Sequence, residues 1–230
     1  MAGKNNLGKL NIQGEIEKAI FEITGETVNL IASGRTDAGV HSLGQTANFK
    51  MENQMPVAKI PLAINSKLKK SIRVQSAEEV DERFHSRYNC KGKKYRYIIN
   101  NAPIESAIYR DFELHIANKL DVEKMRKAIK FFVGKHDFSA FKSSGTSSKN
   151  SVREIYKAEI LQDNERIKIE LTGSGFLYNM VRIISGTLID VGLGKIEPKQ
   201  ILKIIESKDR GKAGKTLPPQ GLYLVEVYYD

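Results

Sequence analysis

Residues 152–172 read VREIYKAEILQDNERIKIELT, and the elements on either side of this stretch decide the fold. Residues 152–161 and 166–172 are rich in Ile, Val and alternating apolar positions. Asp163-Asn164 between them is turn chemistry, so the stretch predicts an antiparallel hairpin. Upstream, residues 93–100 set Tyr95, Tyr97 and Ile99 against Arg96 and Ile98, the period of a strand. Asp121 is a good N-cap for a helix carrying Val122, Met125, Ile129 and Phe132, expected to end at Gly134. Downstream, Gly173-Ser174-Gly175 introduces a strongly apolar helix with Met180, Val181, Ile184, Leu188 and Val191. Pro198 starts a short helix through Ile205, and residues 222–229 close the chain as a strand. The order is β-α-β-β-α-β, the split βαβ or ferredoxin-like plan.

The first half repeats this order with its opening strand absent. Residues 12–23 place Ile12, Ile16, Ala19, Ile20 and Ile23 on one helical face, which Gly25 can close. Residues 27–32 read as a buried strand, 45–51 as a second, and 72–80 as a third. Between the last two, Pro61 opens a helix aligning Ile60, Ile64 and Leu68. Residues 1–11, with Gly3, Asn5, Asn6 and Gly8, are a poor substitute for a first strand. A truncation, a mis-assigned start and a natural variant are the three explanations. The expected fold is mixed α+β: two ferredoxin-like halves, 1–82 and 83–230, with antiparallel sheets side by side and a central catalytic cleft. Residues 142–151 and 208–220, rich in Ser, Gly and Lys, are the expected mobile loops.

Composition narrows the class. The chain has 230 residues, 40% hydrophobic and 28% charged, enough for one large or two small domains of a globular protein. No apolar run approaches the roughly 20 residues that span a bilayer, and residues 1–13 lack the plan of a signal peptide. The single cysteine, Cys90, excludes an internal disulfide and points to a reducing compartment, the cytoplasm. The formal net charge of +10 suits a polyanionic partner. Basic residues cluster at Lys67, Lys69 and Lys70, at Lys91, Lys93 and Lys94, and at Lys208, Arg210, Lys212 and Lys215.

The chemistry centres on Gly34-Arg35-Thr36-Asp37-Ala38-Gly39-Val40-His41. Two glycines bracketing Arg, Thr and Asp permit a tight path and close backbone approach to a ligand. Arg35 and Asp37 point the same way in an extended segment and diverge in a tight turn. An arginine beside a carboxylate favours its ionised form, suited to a nucleophile or an electrostatic stabiliser. Taken alone, an Arg-x-Asp is more often a turn with a surface salt bridge. His41, His85, His115 and His136 show no metal-ligand spacing, and no phosphate-binding glycine loop is present.

That loop, followed by Gly44-Gln45, resembles the catalytic loop of the tRNA pseudouridine synthase A family. Phe84-His85-Ser86-Arg87 with Lys93-Lys94-Tyr95-Arg96-Tyr97 resembles the family's second block, and His136-Asp137-Phe138-Ser139-Ala140-Phe141 its third. Residues 173–182, Gly-Ser-Gly-Phe-Leu-Tyr-Asn-Met-Val-Arg, resemble the fourth. Pro218, Pro219 and Gly221-Leu222-Tyr223-Leu224 resemble the last. The blocks follow the family's order from about residue 12 to the C-terminus. The start departs: family members open with Tyr-Asp-Gly and Gly-Trp-Gln segments, and this chain has neither and no tryptophan.

The resemblance implies an isomerase that converts uridine to pseudouridine in the anticodon stem-loop of tRNA, with no cofactor and no metal. It implies Asp37 as the catalytic carboxylate, attacking C1′ or C6 or stabilising charge on the sugar. Tyr95 would stack on the target base, Arg182 pair with Asp37, and Leu222 line the uracil pocket. Arg35 would hold the flipped nucleotide or its phosphate, with Thr36 beside it. His41 reads better as a loop-fixing hydrogen bonder than as a base. The family also implies a homodimer, with one tRNA touching both subunits. Two other classes remain open: an RNA-binding module or impaired fragment without catalysis, and a hydrolase, for which no second carboxylate accompanies Asp37.

Overall fold

The computed structural model describes residues 11–145 and 150–229. In chain order its elements are α1 (Ile12–Thr24), β1 (Ile31–Ala32), β2 (His41–Ser42), β3 (Ala47–Asn48), α2 (Ile60–Lys67), β4 (Gly92–Asn100), β5 (Leu114–His115), α3 (Val122–Ile129), β6 (Gly134–Asp137), β7 (Val152–Asp163), β8 (Arg166–Gly173), α4 (Met180–Gly192), α5 (Gln200–Ser207) and β9 (Leu222–Tyr228). The molecule is mixed α+β, and its chain divides into two compact units. One holds residues up to Gly34 together with Thr46–Asn89, the other Arg35–Gln45 together with Cys90–Asp230. The loop at 35–45, which chain order places in the first half, therefore packs within the second unit. The expected gap before α1 falls on residues 1–10, outside the described residues. No helix among the described residues is long and apolar enough to cross a membrane.

In the first unit α1 starts where the Asn11 side chain accepts the Gly14 N–H at 2.8 Å, and it ends at Gly25 in the left-handed region. Its buried Ala19 and Ile20 pack with Val28, Ile64 and Leu68. β1 and β3 pair antiparallel, and Ser86 fixes them. The Ser86 hydroxyl donates to the Ile31 carbonyl at 2.5 Å and its N–H to Asn48 Oδ1 at 2.9 Å. The strands expected at 27–32 and 45–51 shrink to two residues each, and 72–80 forms none. Side chains satisfy the backbone there instead. The Asn65 amide bonds both the N–H and the C=O of Val74 at 2.8 Å, and Glu17 accepts the Leu30 N–H at 3.0 Å.

The second unit is built on a seven-stranded sheet of order β2-β9-β4-β8-β7-β6, with β5 beside β4. β2 runs parallel to β9 and β5 parallel to β4; the other pairs are antiparallel. The expected hairpin is β7–β8, and Asn164 turns it at φ 52°. The core joins Tyr97 and Ile99 of β4 and Ile167, Ile169 and Leu171 of β8 to Met125 and Ile129 of α3 and Ile183, Ile184 and Leu188 of α4. Asp121 caps α3 through the Lys124 N–H at 2.9 Å. The helix stops at Ile129, short of Gly134, and tightens into a 3-10 turn at Lys130–Phe132.

The other side of β4 and β8 carries charge. Glu170 lies opposite Arg96 in the ladder and is 3% exposed, with Lys94 Nζ and Arg96 Nη2 each 2.5 Å from its carboxylate. Burial pushes the carboxyl up, but the bonds from Lys94 and Arg96 outweigh it and hold Glu170 below the usual carboxylate range. A depressed carboxyl stabilises the fold fully above its unfolded value, and that contribution fades as pH falls through the folded value. Glu170→Gln is expected to cost about 1–3 kcal/mol near neutral pH. Thermal unfolding should show that deficit narrowing as pH falls through the depressed folded value, where the wild-type carboxyl protonates.

Candidate active site

The loop at 35–45 is shaped by one turn and one strand pairing. The Val40 N–H donates to the Asp37 carbonyl at 3.1 Å, closing a turn with Gly39 at φ 84°. Positive φ at the third residue is the requirement of a type II turn, which Gly meets without strain. A Cβ on Gly39 would also lie 2.9 Å from Pro219 Cγ, so loop and Pro219 are in close contact. Past the turn, β2 pairs with β9, His41 opposite Tyr223. The His41 ring stacks on Phe112 and Tyr223 with centroids 5.2 and 4.8 Å away, and Nε2 lies 2.9 Å from the Asp111 carbonyl. These contacts make His41 an anchor of the loop.

Asp37 meets Arg182, not Arg35. Arg182 Nη1 donates to Asp37 Oδ2 at 3.3 Å, with the arginine side chain 15% exposed and the aspartate 40%. Arg182 stands in the first turn of α4, where it also donates Nε–H to the Leu217 carbonyl at 2.6 Å and Nη1–H to Asn179 Oδ1 at 2.6 Å. Arg182 is thus partly buried and faces an acidic side chain. Arg35 is exposed and Thr36 half-buried, and among the described residues Arg35 makes no ion pair.

The Leu217 carbonyl belongs to a segment expected to be mobile, and that segment is bonded to α4 and within itself. The Gly214 N–H donates to Thr187 Oγ1 at 2.8 Å, and Arg210 donates to the Gly214 carbonyl at 2.9 Å and to Thr216 Oγ1 at 3.1 Å. Leu217 is fully buried. Of the other expected loop, residues 146–149 lie outside the described residues.

Tyr95 and Tyr97 share a face of β4 but not an environment. Tyr97 is fully buried and its hydroxyl donates to the Pro218 carbonyl at 2.7 Å. Tyr95 is half-buried, edge-on to Phe176 at 5.1 Å, and its hydroxyl has no hydrogen-bond partner among the described residues. Burial and then the charge of Asp37 push its phenol up to about 12, so it stays protonated through neutral pH. Leu222, opposite Tyr97 in the ladder, is 7% exposed and part of the core. A half-buried aromatic face, a partly open carboxylate and an arginine held by other acceptors are thus in one unit. Asn179, Phe176 and Pro219 were not foreseen as parts of it; they stand inside quoted motifs, but nothing in their residue type marks them.

The family model described as tRNA pseudouridine synthase matches residues 2–89 and 128–230. The chain belongs to the tRNA pseudouridine synthase family. The matched segments contain the loop at 34–41, Arg182 and Leu222, while Tyr95 lies between them. The tRNA pseudouridine synthase A of Caldicellulosiruptor saccharolyticus is 51% identical over 221 residues, covering 96% of this chain and 91% of that protein. That of Acetivibrio thermocellus is 50% identical, covering 95% and 89%. The tRNA pseudouridine synthase A 2 of Clostridium tetani is 51% identical, covering 95% and 88%.

Proposed function

We propose that this protein isomerises uridine to pseudouridine in the anticodon stem-loop of tRNA, with Asp37 as its catalytic carboxylate. The pairing of Asp37 with Arg182 at 3.3 Å, in a chain of this family, carries the reading. The reaction breaks the bond from C1′ to N1, turns the uracil and forms a bond from C1′ to C5. The C5 proton is lost and N1 gains one. Nothing is oxidised, reduced or hydrolysed in the net change, so no cofactor is called for. Asp37 attacks C1′ or C6, or stabilises positive charge on the sugar, as carboxylates do in glycoside chemistry. Arg182 balances that carboxylate as its charge changes.

The target uridine must leave its stack to reach Asp37, and Tyr95 offers a ring for it. Arg35 contacts the flipped nucleotide or its phosphate, with Thr36 and Leu222 beside the base. Stacking on an aromatic ring contributes on the order of 1–3 kcal/mol per base, so Tyr95→Ala should lower kcat/KM by roughly 10- to 100-fold. Steady-state assays with transcribed tRNA check this.

Lys67, Lys70, Lys91, Lys212 and Lys215 are exposed and suit a phosphate backbone, whereas Lys94 turns to Glu170 and Arg210 to backbone carbonyls. Affinity should then fall steeply with salt. The protein acts as a homodimer in a reducing cytoplasm; exposed Ile104 and Ile108 in the loop before β5 suit a subunit contact. The strand order β9-β4-β8-β7 supports a ferredoxin-like reading of the second unit. The test is tritium release from tRNA labelled at uracil C5, with the products mapped for pseudouridine. Release from anticodon-arm positions supports the proposal. Tight binding without release would make the protein an RNA binder.

A further inference from the structure

Arg182 is oriented by contacts other than its catalytic partner. Its bonds to the Leu217 carbonyl and to Asn179 Oδ1 are both 2.6 Å, while that to Asp37 is 3.3 Å. The two short bonds take Nε and Nη1 and therefore fix the plane of the guanidinium. The third, longer contact is then what the fixed plane offers to Asp37.

Asn179 is placed for this by an unusual backbone. It precedes α4 at φ 61° and ψ 6°, the left-handed region, and its side chain does not cap the helix. Asn tolerates that region better than most side chains. From there Oδ1 accepts from Arg182 and Nδ2 donates to Ser143 Oγ at 3.0 Å. Chemistry fixes the amide's direction: arginine has no acceptor, so only the oxygen can face it. Ser143 Oγ accepts one of the two Nδ2–H groups, and the Ser143 N–H donates to the Tyr178 carbonyl at 3.2 Å.

We propose that Asn179 is a positioning residue for the reaction, holding Arg182 in the plane that meets Asp37, with Ser143 fixing its amide. This rests on the roles of Asp37 and Arg182 proposed above. Strong left-handed backbone geometry selects the variants. Asn179→Gly keeps the backbone and removes the acceptor; Asn179→Asp keeps an acceptor oxygen at the same reach.

The experiment measures single-turnover isomerisation, tRNA affinity, melting temperature and the 15N signals of the Arg182 guanidinium in wild type and both variants. Asn179→Gly should slow the chemical step by roughly 10²-fold, the scale of a small misplacement in a site, with affinity unchanged and the protein fully folded at the assay temperature. Its Arg182 Nη1 group should rotate faster than in wild type and in Asn179→Asp, because of its two acceptors only the longer contact to Asp37 remains. Asn179→Asp should recover most of the rate. A wild-type rate in Asn179→Gly, or an equal loss in both variants, overturns the proposal. If wild type itself forms no pseudouridine, the proposed function fails instead, and the nitrogen signals still decide the role of Asn179.

Discussion

Asp37→Ala is expected to lower pseudouridine formation by at least about 10⁴-fold, the scale set by removing a covalent or charge-stabilising catalytic group. Binding of tRNA should be unchanged, because backbone phosphates supply most of the affinity and the exposed lysines remain. The fold should tolerate the change. The Asp37 side chain is 40% exposed and its ion pair with Arg182 is 3.3 Å long, so the pair adds little to stability. The turn itself depends on the Asp37 backbone carbonyl and on Gly39, which the substitution leaves in place. Asp37→Asn sharpens the result, since it keeps the volume and loses only the charge and nucleophilicity. Single-turnover tritium release beside filter binding checks both variants. Substantial release from Asp37→Asn would move the essential carboxylate elsewhere in the chain.

What was legible in the sequence follows the range of the interactions involved. The Tyr95–Tyr97 alternation, the Asp121 cap, the Gly25 stop and the Asp163-Asn164 turn are local signals, and each element stands within a few residues of its reading. Strands of two residues carry no period, so β2 and β5 went unseen, and the four residues of β6 are too few to show one. Residues 72–80 show the reverse error. Their alternation is real, with Ile72 and Val74 half-buried between exposed neighbours, yet the Asn65 side chain satisfies Val74 in place of a partner strand. The site divides in the same way. The glycines of the 34–41 loop announce a tight turn, but the cation that answers Asp37 lies 145 residues away. Resemblance to the family suggested Arg182, and only the tertiary structure joins it to Leu217 and Asn179. Arg35, the neighbour in sequence, is exposed and makes no ion pair among the described residues.

Gly186→Ala should show how closely that joining depends on packing. A Cβ at position 186 would lie 2.0 Å from the Lys215 carbonyl oxygen and 3.2 Å from its carbon. The obstacle is backbone, which cannot rotate away as a side-chain tip can. The segment at 213–217 must lift off α4, and the Gly214 bond to Thr187 and the buried Leu217 oppose that. Overpacking of this kind costs about 1–3 kcal/mol, and at this chain length each kcal/mol lowers Tm by roughly 2–4 °C. The consequence reaches the site, because the Leu217 carbonyl that receives Arg182 Nε moves with the segment. Activity should therefore fall even at temperatures where the variant is fully folded. Ser185→Ala is the internal control. Its Oγ is buried and finds no hydrogen-bond partner among the described residues, so its loss should leave Tm and rate at wild-type values. Calorimetry beside single-turnover assays separates the two. A Gly186→Ala protein with reduced Tm and an undiminished rate would show that the Leu217 carbonyl does not orient Arg182.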